Sequence, residues 1–227
     1  MGRKRKAPEP TSSSSSSFNW VQDHVAAASL AYKEENESDM DDKTKLSEGW
    51  QIHKTIEGKS GVKLKIWVSP KNGNVMIGFR GTSSMKEMRL DASLGSTAFQ
   101  NVRGENVGYV YKGFAQGWED IKPALEREMK VLRSTSYVPD GATLQFAGHS
   151  LGGAMAEIAS TYFSDVYPNV KVAETSIAAP TSGDKHFGEY SRSRLNLQRM
   201  RIVAAGDPVA NVKLPGMEYV ENTNVLN

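Results

Sequence analysis

The sequence has 227 residues, of which 38% are hydrophobic, and its net charge is +2. This length suits one α/β domain, or at most two small ones, and the absence of cysteine excludes a disulfide framework, a thiolate metal site and a cysteine nucleophile. No apolar run approaches the roughly 18 residues that a membrane-spanning helix needs.

The first 17 residues differ in composition from the rest of the chain. They combine a basic cluster, two prolines and a serine run from 12 to 17, and their charge of +3 leaves the remaining body close to neutral. We predict a flexible tail at 1–17, because such a composition cannot bury a core. Three interpretations of the cluster stay open, namely a signal for a nuclear import receptor, a weak phosphate-binding arm, or a solvated tail that only aids solubility. The cluster consists of Arg3, Lys4, Arg5 and Lys6.

The composition also leads to a prediction about location. No apolar core of a signal peptide is present near the N-terminus, and no cysteine is available for oxidation. Both observations predict an intracellular protein, with the nucleus as one destination. The near-neutral body argues against strong nucleic-acid binding.

From residue 18 onward the pattern is that of one globular domain, 18–227. Residues 18–32 have the spacing of an amphipathic helix, and the charged stretch at 34–45 predicts an exposed loop. A second helix is indicated by four apolar residues on one face: Ile121, Leu125, Met129 and Leu132. Strands are predicted at 50–55, 62–68, 74–80, 143–147, 170–178 and 200–205, with a hairpin turn at 70–73. This alternation predicts an α/β fold whose mostly parallel sheet has helices on both faces.

The segment from Gly148 to Gly153 concentrates the chemistry. It has the form G-x-S-x-G around Ser150, with an apolar strand before it and a helix of small residues after it. A nucleophilic serine needs such a sharp strand-to-helix turn, and glycine at 148 and 152 leaves room for the neighbouring backbone. The N-terminus of the helix offers N–H groups, notably that of Leu151, to a developing oxyanion.

Five segments in chain order carry a resemblance to a known family. They are Gly78-Phe79-Arg80-Gly81-Thr82, Tyr111-Lys112-Gly113-Phe114, the serine segment, Ala178-Ala179-Pro180 with Gly183-Asp184, and Gly206-Asp207-Pro208-Val209 with Leu214-Pro215. They resemble the class 3 (fungal-type) lipases, which have the α/β-hydrolase fold and cleave acylglycerol and phospholipid esters. Tyr111 stands where the family usually has His, and Ala178 and Thr181 stand where it has Gly and Arg.

The resemblance implies a role for each matching residue. Ser150 would be the nucleophile, and Asp207 would be the acid that orients a base. Thr82 would form the oxyanion hole together with the Leu151 N–H. Asp207 and Thr82 also suit ordinary turns. The chain order, with Asp207 downstream of Ser150, is that of the fold.

Residues 83–94 follow Thr82 and have a partly amphipathic pattern. In the family a short lid follows this position and opens at lipid surfaces, so the resemblance implies transient contact with a membrane surface here. Met85 and Met88 would pack adaptably against acyl chains. An ordinary surface helix is the alternative.

The base is the missing element of this site. Serine hydrolysis by this route needs a histidine within reach of the nucleophile. In the family it lies beyond the acid, but none of the 20 residues after Asp207 is a histidine. We expect His24, His53 and His186 to be structural or surface residues. His149, which flanks the nucleophile, is expected to support the local structure.

Three explanations follow from the missing base. The chain is a piece of a longer protein and lacks its C-terminal end, or His24, His53 or His186 has been recruited or another chain lends a histidine, or the triad has been lost. The first two favour a serine ester hydrolase that forms an acyl-enzyme on Ser150. The third favours a lipase-like domain that binds lipid or a protein partner, or a domain incidental to a nuclear tail. Neither a metal nor a cofactor is expected. Acyl-chain length, lipid class and oligomeric state are left open.

Overall fold

The computed structural model describes residues 14–33, 46–47, 49–81, 95–135, 139, 141–204 and 225–226. For 14–19 and 225–226 this description covers the backbone alone. Four helices lie in these ranges: α1 Ser14–Leu30, α2 Lys112–Ser134, α3 Leu151–Val166 and α4 Lys185–Arg192. The strands are β1 Gln51–Glu57, β2 Lys63–Val68, β3 Val75–Phe79, β4 Ser96–Gln100, β5 Asn106–Tyr111, β6 Thr143–His149, β7 Lys171–Ile177, β8 Leu197–Ile202 and β9 Val225–Leu226.

The main sheet has seven strands in the order β1-β2-β3-β6-β7-β8-β9. The first three strands pair antiparallel, and every pairing from β3 to β9 is parallel. Strands β4 and β5 form a separate antiparallel pair. The predicted α/β fold with a mostly parallel sheet is therefore confirmed.

Helices cover both faces of this sheet, as the sequence predicts. On one face α2 and α3 pack with the sheet into the larger core, which includes Trp118, Phe146 and Phe163. On the other face α1 packs against β3 and β6, where Ala27 and Ala28 contact Met76 and Ala147. Side chains alternate along β6, so consecutive residues face different cores. The face of α2 predicted from its apolar spacing is buried, from Ile121 to Leu132.

Some element bounds differ from the sequence prediction. Helix α1 begins at Ser14, so four residues assigned to the tail are helical, and serine is well tolerated where a helix begins. Strand β8 covers Leu197–Ile202 rather than 200–205, because the charges of Arg199 and Arg201 are satisfied inside the fold. The division at residue 17 stays a prediction, since residues 1–13 lie outside the described ranges.

Strand β1 lies at one edge of the main sheet. Its pairing with β2 is interrupted by a bulge between Ile52 and Lys54. Its first four residues are exposed, and Lys54 binds the Glu128 carboxylate of α2 at 2.5 Å. Among the helices in the described part of the chain, none has the length and apolarity to cross a bilayer.

Candidate active site

Ser150 occupies a strained turn between β6 and α3. Its backbone has φ 55° and ψ −127°, which a residue with a side chain rarely adopts. The Ser150 N–H donates to the carbonyl of Ile177 at the end of β7, at 2.9 Å. The turn is thus fixed to the neighbouring strand. The Ser150 side chain is placed at the carboxyl ends of the parallel strands.

Glycines close this turn, as the sequence predicts. A Cβ on Gly148 would lie 2.1 Å from the carbonyl oxygen of Gly152. A Cβ on Gly152 would lie 2.3 Å from the carbonyl oxygen of Phe79, at the end of β3. No side chain fits at these distances, so the backbone of α3 can approach β3 and β6 only because both residues are glycine.

The helix that follows Ser150 supplies hydrogen-bond donors. Leu151 is the first residue of α3, and the first N–H groups of a helix have no acceptor within the helix itself. The helix dipole adds a partial positive charge at this end. The first turn of α3 can therefore stabilise negative charge on an oxygen held beside Ser150.

A second strained residue lies one strand away from the first. Ala178 follows β7 with φ 48°, and its N–H donates to the carbonyl of Ile202 at 2.8 Å. Ser150 is bonded to β7 in the same way. Each turn, after β6 and after β7, is therefore held by the last residue of the next strand in the sheet. The close approach of Gly153 to Ala179, where a Cβ would be 2.6 Å from the Ala179 Cβ, packs the two turns together.

Two of the predicted site residues, Thr82 and Asp207, lie outside the described residues, and their roles stay predictions. The last described residue before Thr82 is Gly81, which lies beside the serine turn. A Cβ on Gly81 would be 2.6 Å from the carbonyl oxygen of His149 and 2.2 Å from the Tyr32 hydroxyl. The chain that leads to Thr82 therefore passes next to the residue before Ser150.

Tyr32 is a site residue that the sequence does not indicate. Its hydroxyl and His149 Nδ1 are 3.0 Å apart, which ties the segment that follows α1 to the serine turn. Burial raises the pKa of Tyr32 above its usual value, opposed by a hydrogen bond with the Gly81 backbone and by the charge of Arg80. The contact joins residues 117 positions apart, and no local pattern reveals it.

None of the four histidines hydrogen-bonds to Ser150 among the described residues. His24 is fully buried against the sheet, with Nδ1 2.8 Å from Thr175 Oγ1 and Nε2 2.9 Å from Gln145 Oε1. His53 is 3.2 Å from Glu128, and His186 is exposed and 3.7 Å from Asp184. The structural role expected for His24 is confirmed, because both of its ring nitrogens are bonded to other buried side chains. The role of His149 stays a prediction, with its Nδ1 bonded to Tyr32. Among the described side chains, no group of three or more acidic or histidine residues is placed to hold a metal ion.

A strained serine at a strand-to-helix turn, on a mostly parallel sheet with helices on both faces, defines an α/β-hydrolase. Residues 76–217 match the model of the lipase (class 3) family, and the chain belongs to this family. The secreted mono- and diacylglycerol lipase A of Penicillium cyclopium and that of Penicillium camembertii are each 29% identical over 159 residues. The match covers 68% of this chain and 48% of each relative, so the chain spans about half the length of these curated relatives.

Solved structures show the same fold. Lipase II from Rhizopus niveus superposes with a TM-score of 0.69 and 21% identity, over 87% of this chain and 76% of that one. A triacylglycerol lipase from Penicillium expansum superposes with a TM-score of 0.65 and 17% identity, over 83% of this chain and 69% of that one.

The predicted intracellular or nuclear location is wrong. The curated relatives are named as secreted lipases. The prediction depended partly on the lack of cysteine, but a chain without cysteine has no thiol for an oxidising compartment to act on, so this lack does not distinguish locations. The import-receptor interpretation of the basic cluster has no support in the relatives, and residues 3–6 lie outside the described ranges.

Proposed function

We propose that this chain is a serine ester hydrolase that cleaves acylglycerol or phospholipid esters through an acyl-enzyme on Ser150. The observation that carries the proposal is the strained Ser150 turn, because backbone strain of this kind persists where the surrounding structure holds a functional residue in place. Membership of the class 3 lipases supports an ester as the substrate. The names of the curated relatives support acylglycerols in particular.

The proposed reaction begins with attack of Ser150 Oγ on the ester carbonyl carbon. The oxyanion that forms accepts hydrogen bonds from the Leu151 N–H and from Thr82, which completes the oxyanion hole. The alcohol leaves with the proton taken from Ser150, and a water molecule then hydrolyses the acyl-enzyme. A histidine base carries these protons, and Asp207 orients it.

The contacts of His24, His53 and His186 bear on which residue acts as that base. His24 is enclosed in the core, and both of its ring nitrogens already have partners. His53 and His186 lie beside the carboxylates of Glu128 and Asp184. None of the three hydrogen-bonds to Ser150 in the described part of the chain, which supports a base from a longer chain or from another molecule over recruitment of one of them.

The test compares hydrolysis of p-nitrophenyl butyrate by the wild type and by Ser150→Ala between pH 6 and 9. We expect the variant to lose about 10³-fold or more in kcat. With a histidine base, wild-type activity falls below about pH 7. The matched control is Ser160→Ala, a buried serine on the same helix whose hydroxyl donates to a backbone carbonyl at 3.0 Å. Equal rates for the wild type and Ser150→Ala would refute the proposal for this chain.

A second candidate is a lipase-like module that binds lipid without cleaving it. It is favoured by one observation, that no described histidine bonds to Ser150. The test is co-sedimentation with phosphatidylcholine vesicles of the wild type and of a Met85→Ser, Met88→Ser variant, since residues 83–94 are the predicted contact with the lipid surface. Binding by a wild type that has no esterase activity would favour this candidate, whereas sedimentation of neither protein would exclude it.

A further inference from the structure

Three ionisable side chains meet in the interior between α3, β7 and β8. Glu157 comes from α3, Glu174 from β7 and Arg199 from β8, and their side chains are 17%, 0% and 7% exposed. Arg199 Nε donates to Glu174 Oε2 at 3.3 Å, while Arg199 Nη2 donates to Glu157 Oε1. One guanidinium thus joins a helix to two strands. We call these three residues the buried triad.

Hydroxyl groups extend the triad to two further segments. Ser182, in the loop after β7, donates to Glu157 Oε2 at 2.7 Å. Arg199 Nη1 donates to Ser191 Oγ of α4 at 3.0 Å, and the Ser191 hydroxyl is 2.7 Å from that of Thr161. Four elements and one loop are therefore fixed to one another through directional bonds.

Stability alone does not account for this arrangement. Removing ionisable groups from water is costly, and apolar side chains of similar volume commonly give equal or greater stability. Burial raises the pKa of Glu174 to about 8 although the charge of Arg199 opposes the shift. The hydrogen bonds of these groups are directional, because the planar guanidinium binds carboxylates in a fixed geometry. The hydrophobic effect, by contrast, is non-directional.

The triad lies on the side of the serine turn that faces the amino-terminal ends of β7 and β8. Glu157 is seven residues, or about two helical turns, after Ser150 and so shares its side of α3. Glu174 and Arg199 are paired in register on β7 and β8, three residues before Ile177 and Ile202. The carbonyls of Ile177 and Ile202 hold the N–H groups of the two strained turns. The distance along the strands from the triad to these turns is about 10 Å.

We propose that Arg199, with Glu157 and Glu174, is a positioning residue for Ser150. The triad prevents α3 from sliding along β7 and β8. It thereby fixes the position of the serine turn relative to the carboxyl ends of these two strands, which hold the two strained turns. This inference rests on the proposed function for its effect on catalysis. The geometric part, the position of the two turns, is independent of any activity.

The test replaces the triad with apolar residues of similar volume. The variant carries Glu157→Met, Glu174→Leu and Arg199→Met, and also Ser182→Ala, because the Ser182 hydroxyl loses its acceptor. We expect its melting temperature to stay near that of the wild type. The kcat for p-nitrophenyl butyrate should fall about 10- to 100-fold, the cost of a misplaced reacting group, with KM changed less than about twofold. The Ser150 and Ala178 amide protons should exchange faster than in the wild type.

The matched control removes a different ion pair on the same helix. Asp165, in the last turn of α3, binds Arg194 at 2.7 Å and accepts from the Tyr190 hydroxyl at 2.6 Å. It lies about 20 Å along the helix from Ser150. A variant with Asp165→Leu, Arg194→Met and Tyr190→Phe should keep the wild-type kcat and the wild-type exchange at Ser150 and Ala178.

Each outcome decides the inference. If the apolar triad variant keeps both the wild-type kcat and the wild-type exchange at the two amides, the triad contributes stability only and the inference is overturned. If the wild type has no hydrolysis that depends on Ser150, the proposed function fails, and the amide exchange alone decides the positioning role. If the multiple variant does not fold, Arg199→Lys, which keeps the charge but loses the forked geometry, is measured in the same way against the same control.

Discussion

The buried imidazole of His24 predicts a loss of stability in acid. Burial lowers the pKa of His24 from 6.5 to about 4, although the hydrogen bond to Gln145 and the charge of Asp23 oppose this shift. The unfolded chain binds a proton at this residue below about pH 6.5, whereas the folded chain does so only below about pH 4. The stability contribution of neutral His24 is thus complete above pH 6.5 and is lost as the pH falls to 4. The difference in pKa corresponds to about 3 kcal/mol.

The assay is urea unfolding followed by tryptophan fluorescence at intervals from pH 4 to 7.5. The variant is His24→Gln, which does not titrate and can still donate to Gln145 Oε1. At each pH we take the free energy of unfolding of the wild type minus that of the variant. We expect this difference to be about 3 kcal/mol larger at pH 7 than at pH 4. The matched control is His186→Gln, which removes an exposed imidazole on α4. The same pH dependence in both variants would refute the reasoning.

Three further predictions follow from buried or strained groups. Because burial raises the pKa of Glu174 to about 8, its contribution to stability falls as the pH rises from about 4.5 to 8, with a slope of up to about 1.4 kcal/mol per pH unit. Glu174→Gln should lack this fall in urea titrations from pH 6 to 8.5, and an unchanged slope would contradict the assigned burial effect. Ala178→Gly should raise the free energy of unfolding by up to about 1 kcal/mol, since glycine adopts φ 48° without strain, and a lower melting temperature would argue against strain there. Gly152→Ala should reduce hydrolysis of p-nitrophenyl butyrate at least about 10-fold, because its Cβ would lie 2.3 Å from the Phe79 carbonyl, and full activity in a folded variant would count against the tight turn.

The serine turn could be predicted because its determinants are local. The apolar strand, the two glycines and the small residues of α3 are all within 143–156, and the strained backbone follows from their order. The same holds for the apolar face of α2, where Ile121 and Leu125 are buried as their spacing predicts.

The remainder depends on contacts between distant residues. The Tyr32–His149 contact and the buried triad join positions that no periodic pattern connects. Strand β8 begins earlier than predicted because Arg199 is suited to the interior only with Glu157 and Glu174 beside it. The β4–β5 pair was not predicted, since Ser96–Gln100 is short and mostly exposed. Such features appear only when the chain is folded.

The bulge at the start of β1 has a consequence for self-association. An unpaired edge strand presents N–H and C=O groups that can template a strand from another molecule, which leads to aggregation. In β1 the bulge between Ile52 and Lys54 interrupts the regular spacing of these groups. A second copy that added a strand here would have to match this irregular backbone. At this edge the protein is therefore protected from adding strands of other copies to its main sheet.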